Sequence, residues 1–60
     1  MERYSAFTDE VLHDWLVWAD EHGPGFLRAI ATAAFVSDLK HYDLLRPVLL
    51  ELKKEWPKPA

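Results

Sequence analysis

The chain has 60 residues, half of them hydrophobic and three of them tryptophan, with no cysteine and a formal net charge of −3. A chain this short buries only about 60% of the surface its unfolded form exposes, so its own core is marginal. Without cysteine, neither a disulfide nor a thiolate-bound metal can staple it. The composition is too apolar for a disordered chain, and no apolar run reaches the roughly 18 residues of a membrane span. The acidic start Met1-Glu2-Arg3-Tyr4-Ser5 leads into no signal-peptide apolar region. The expectation is one all-α domain over residues 1–60, cytoplasmic and completed by self-association or by a partner.

In chain order, the spacing predicts a first helix over about 9–22. Thr8 is the expected N-cap, with Asp9 and Glu10 in the first turn where the helix dipole favours acids. Phe7 is placed to staple onto Leu12. Val11, Leu12, Trp15, Leu16, Trp18, Ala19 and His22 fall on one broad side at helical spacing. Glu10, His13, Asp14, Asp20 and Glu21 fall on the other, with Val17 as the exception. Gly23-Pro24-Gly25 ends the helix, Gly suiting a left-handed cap and Pro being unable to continue it.

A second helix is expected over about 25–37, and its side chains are apolar nearly all round. Leu27, Ile30, Ala31 and Ala34 make one side, Phe26, Ala29, Ala33 and Val36 the opposite arc, and Phe35 a third direction. Only Arg28 and Thr32 interrupt. A helix that is apolar all round must be covered all round, and two neighbours cannot do that. The alanines at 29, 31, 33 and 34 would let another backbone come close. The surplus assigns Phe26, Ala29, Ala33, Phe35 and Val36, with Trp18 and Leu50, to an oligomer interface.

Ser37-Asp38 offers a stop and a new cap, and the stretch from Asp38 to Tyr42 reads as a short turn or as a continuation of the second helix. Asp43 is then expected to cap a third helix over about 44–56, with Pro47 tolerated near its first turn. Leu44, Leu45, Val48, Leu49, Leu52 and Trp56 share one face, and Leu50 stands apart. Lys53, Lys54 and Lys58 sit where a helix C-terminus favours cations. Charge is uneven along the chain: the first 30 residues set six acids against two bases, the last 30 five bases against four acids.

The residues carry little chemistry. Asp9 with His13 and Asp38 with His41 stand at helical spacing, but a metal site needs three or four ligands, so no metal or other cofactor is expected. Ser5, Ser37, Thr8 and Thr32 lie in no motif that would activate a hydroxyl, and exposed carboxylates such as Glu10 and Asp14 have nothing to raise a pKa. The chain does not read as an enzyme. Gly23-Pro24-Gly25 before a helix lacks the further glycines and the lysine of a phosphate loop. A helix-turn-helix is disfavoured by the long expected connection from Ser37 to Asp43, and by Glu51 and Glu55 among the lysines of the last helix. Trp15 is assigned to the core, Trp18 to the edge of the apolar arc.

The stretch Gly25-Phe-Leu-Arg-Ala-Ile-Ala, then Ala33-Ala-Phe, Asp38-Leu, Tyr42 and Leu44-Leu-Arg-Pro-Val-Leu-Leu-Glu-Leu-Lys53 resembles small uncharacterised helical proteins encoded by phages and mobile elements. The likeness covers roughly residues 23 to 57 and carries no catalytic or binding residue over. It implies a stoichiometric inhibitor or decoy that binds a host protein or sequesters a small signal. The function expected first is accordingly non-enzymatic: a self-associating adaptor or inhibitor that offers Asp14, Asp20 and Glu21 to a basic partner protein. The alternative is an oligomeric sponge that holds a nucleotide-like ligand with Trp18, Arg28, Lys40, Tyr42 and Arg46. A purely structural assembly module is the third reading. No membrane and no nucleic acid is expected as a partner.

Overall fold

A computed structural model describes residues 5–58. Three helices follow one another: α1 over His13–His22, α2 over Gly25–Val36 and α3 over Leu39–Glu55, with no strand among the described residues. The expected all-α architecture is therefore what forms. The core gathers Leu12, Trp15, Leu16 and Ala19 from the α1 side, Leu27, Ala31 and Ala34 from α2, and Tyr42 and Leu49 from α3. The spacings within the sets are those of one helix face, three and four residues on the α1 side and in α2 and seven in α3, so one face of every helix is turned inward.

The start of the chain departs from the expectation. The carbonyl of Ser5 accepts the amides of Thr8 and Asp9, and the hydroxyl of Thr8 takes the Ser5 amide at 2.9 Å. Thr8 thus closes a turn instead of capping a helix. Asp9 caps the turn that precedes the helix, its Oδ1 accepting the amides of Val11 and Leu12 at 3.0 and 3.3 Å, and Leu12 at the N-cap of α1 makes no side-chain capping bond. Regular helix begins at His13, four residues after the expected start. Nor does Phe7 staple onto Leu12. Its ring lies 5.1 Å from that of Phe35, and His13 meets the same Phe35 ring edge-on at 6.2 Å.

At the α1–α2 corner Gly23 has φ −73°, an extended conformation, and not the left-handed cap expected of it. The need for glycine there is steric. A Cβ on Gly23 would stand 2.7 Å from the Ala19 carbonyl oxygen and 3.0 Å from the Leu27 Cβ. The corner brings the two helices too close for any side chain.

The third helix begins earlier than expected, at Leu39, because Asp38 and not Asp43 is its N-cap. Asp38 Oδ1 accepts the His41 amide at 2.8 Å and pairs with His41 Nδ1 at 2.8 Å. The stretch from Asp38 to Tyr42 is thus neither a turn nor part of α2; it is the cap and first turn of α3. Pro47 consequently falls inside the helix, where its ring supplies no amide to the carbonyl four residues back. The inward row is Tyr42, Leu45, Leu49 and Leu52, and Leu50 packs half-buried beside it. Leu44 and Val48, expected on the buried face, are left exposed. Two long-range bonds hold the far end: Trp15 Nε1 donates to the Trp56 carbonyl at 2.8 Å, and Lys53 Nζ donates to the Val11 carbonyl at 3.0 Å.

Candidate functional site

Three places hold the residues singled out by sequence. The first is polar and internal. Asp9 is only 1% exposed, the one charged side chain buried among the described residues. Its Oδ2 accepts the Tyr42 hydroxyl at 2.8 Å and Arg46 Nε at 2.7 Å, and its Oδ1 accepts Arg46 Nη2 at 3.3 Å besides the two amides. Tyr42 and Arg46 stand one turn apart on α3, so both donors reach the same carboxylate. Burial pushes the Asp9 carboxyl upward, but the bonds from Arg46, Tyr42 and the Val11 amide outweigh it and hold it below its ordinary value of 3.8. Burial, and then the neighbouring Asp9, push the Tyr42 hydroxyl well above its ordinary range. Among the described residues no buried side-chain polar atom lacks a partner.

This cluster engages two members of the ligand-binding set. Tyr42 is fully buried and its hydroxyl is engaged by Asp9, so its ring offers no face for a base to stack on. Arg46 forks onto Asp9, while Arg28 and Lys40 are exposed on α2 and at the start of α3. Of the five residues only Trp18 lines either of the two surface clefts. Neither cleft brings the five together within one chain. Asp9 likewise turns to Arg46 and not to His13, whose Nδ1 lies 3.0 Å from the Ala6 carbonyl. No group of three His, Asp or Glu side chains that could hold a metal ion forms among the described residues.

The second place is the outer face of α1, where Asp14, Asp20 and Glu21 are all exposed. Two open clefts of about 420 and 380 Å³ flank the row His13, Val17 and Glu21. Asp14, Trp18 and Lys58 border the first. Asp20, Phe7 and Phe35 border the second. Both clefts combine carboxylates with apolar walls.

The third is the outer face of α2. Phe26, Ala29, Ala33 and Val36 are exposed and form one line, opposite the buried Leu27, Ala31 and Ala34. Phe26 is 62% exposed and Val36 79%. The other three residues assigned to an oligomer interface lie elsewhere: Phe35 is half-buried under Phe7, Leu50 packs on the core, and Trp18 borders the first α1 cleft. The helix-turn-helix argument also changes. The connection between α2 and α3 is only Ser37-Asp38, so its length no longer counts against that motif. Glu51 and Glu55 still alternate with the lysines on α3, and no basic stripe results. Among the described residues no helix is long and apolar enough to cross a membrane. Comparison with protein-family models, with curated proteins and with solved structures finds no match to this chain.

Proposed function

We propose that this protein is a non-enzymatic binding module that self-associates and acts as an adaptor or inhibitor by occupying the surface of a basic partner protein. The observation that carries the reading is the uncovered line Phe26, Ala29, Ala33 and Val36 on α2. A helix on the surface of a small protein ordinarily turns a polar face to water, and a contiguous apolar face rimmed by polar residues marks an interaction surface. The buried polar groups point the same way. Asp9, Tyr42 and Arg46 hold the fold together, and the groups left exposed are those suited to contact. On α1, Asp14, Asp20 and Glu21 present negative charge beside apolar cleft walls, an arrangement that steers a basic partner and sets its orientation.

A fluorescently labelled Lys- and Arg-rich amphipathic peptide tests the α1 face. It is expected to bind the wild-type chain with a salt-dependent association rate. Asp14→Lys with Glu21→Lys is expected to weaken binding about tenfold, mostly through that rate. The same change in charge at Glu51→Lys with Glu55→Lys, on α3, is expected to have a much smaller effect. Equal loss from both pairs would reduce the effect to net charge and contradict the α1 assignment, as would the absence of binding.

A further inference from the structure

The α2 line has a spacing that selects its occupant. Phe26, Ala29, Ala33 and Val36 are separated by three, four and three residues, which is the step of successive core positions in a two-stranded coiled coil. The pattern is also symmetrical about the level of Ala31. Turning the helix end for end at that level returns the same four positions. We propose that α2 pairs antiparallel with α2 of a second copy, about a two-fold axis level with Ala31. This rests on the reading above that the α2 face is an interface, and it adds the partner, the orientation and the register.

In this arrangement Phe26 of one copy faces the partner's Val36, and Ala29 faces the partner's Ala33. Every contact is made twice, as a two-fold interface requires. The alanine pairs at the centre let the backbones approach closely, and the larger pairs close the two ends. The helix dipoles run in opposite directions, which favours the antiparallel over the parallel pair. A parallel pair would instead set Phe26 against Phe26 and Ala29 against Ala29.

Charge on the flank of the seam gives an independent argument. Arg28 is the one charged residue of α2; it is exposed and belongs to none of the ion pairs among the described residues. Asp20 of α1 is held over the same flank, where Thr32 Oγ1 donates to its Oδ1 at 3.0 Å. The two-fold axis carries the level of Thr32 to the level of residue 30 on the facing helix. The partner's Asp20 therefore stands about 3 Å along the axis from the level of Arg28, at a rise of 1.5 Å per residue, on the same side of the seam. Arg28 and the partner's Asp20 form two symmetrical ion pairs at the rim. Four seam residues per copy bury far less than the roughly 800 Å² per partner of a standard interface, so the dimer is reversible, with a dissociation constant on the order of micromolar.

The absence of cysteine makes the test clean. Sedimentation of the wild-type chain comes first, because a monomer at every concentration would overturn both the interface reading and this inference. Chains carrying Ala29→Cys and Ala33→Cys are then oxidised separately and as a mixture. The mixture is expected to give at least tenfold more cross-linked dimer than either chain alone. A wild-type dimer in which Ala29→Cys cross-links to itself would leave the interface reading standing and overturn the antiparallel register. So would a mixture that cross-links no better than its components. Arg28→Asp and Asp20→Arg are each expected to weaken the dimer, and their combination to restore it; an additive loss would remove the rim pairs from the account.

Discussion

Asp9 shows how much one side chain can carry in a chain of this size. It caps the turn before α1 and receives Tyr42 and Arg46 from α3, joining segments more than thirty residues apart. Asp9→Asn keeps the shape but loses the charge that both donors address. It is expected to cost about 2 to 4 kcal/mol, read from the midpoint of chemical denaturation. Tyr42→Phe removes one bond to a charged acceptor and is expected to cost about 1.5 kcal/mol. The pH dependence follows from the directions of the shifts. The Asp9 carboxyl is depressed in the folded state, so its contribution is full above the unfolded value near 3.8 and is lost as pH falls through the folded value. Tyr42 is raised, so its contribution is full below about pH 10 and fades as pH rises beyond it. Asp9→Asn is expected to flatten the acid limb of the stability profile, and an unchanged acid limb would contradict the cluster.

Local spacing could not show this cluster. At the level of sequence Asp9 reads as a first-turn acid, and Tyr42 and Arg46 as candidate ligand-binding groups, because nothing local says which distant carboxylate they meet. One signal was present. Tyr42 and Arg46 lie one turn apart beside the row of Leu45 and Leu49, so two polar donors point toward the core and require an acceptor there. Gly23 and Gly25 make a similar contrast. Both read as turn glycines, yet only Gly23 is closely approached. Gly23→Ala is expected to lower the melting temperature markedly. Gly25→Ala, which meets nothing within 4 Å and lies in the first turn of α2, is expected to leave it unchanged or raise it.

At the scale of elements, the three helices and the face that α2 buries were legible because apolar periodicity is a strong signal, whereas on α3 Leu44 and Val48 were expected inward and Tyr42 takes that place. Boundaries were not legible where two capping residues competed. Asp38 and Asp43 are both suitable caps, and Pro47 is tolerated near the first turn of a helix capped by Asp43. The core decides for Asp38. Starting at Leu39 brings Tyr42 into the helix, where it can be buried and reach Asp9. Asp38→Ala is expected to cost about 1 kcal/mol through loss of the cap. Pro47→Ala is expected to raise stability by about 1 to 2 kcal/mol, since a proline in a helix interior forgoes a bond and crowds the preceding turn. A neutral Pro47→Ala, as for a proline in a first turn, would contradict a helix that begins at Leu39. Thermal melts of the two variants check both.

For the whole molecule, the excess of apolar surface on α2 was also legible. More apolar directions project from that helix than two neighbours can cover, and the structure leaves Phe26, Ala29, Ala33 and Val36 exposed. What could not be read was how the N-terminal turn would use Phe35, because the pairing of Phe7 with it depends on where that turn lies. Phe35 therefore left the exposed set and the remaining four narrowed to a single line. The central claim is that this line is an interface. The most direct test is the molar mass in solution across a hundredfold range of concentration centred on tens of micromolar, for the wild-type chain beside Ala33→Glu. The account predicts a wild-type mass rising from monomer toward dimer, and an Ala33→Glu chain that stays folded and monomeric throughout. A wild-type chain monomeric at every concentration, or an Ala33→Glu chain that dimerises as well as the wild type, would contradict it.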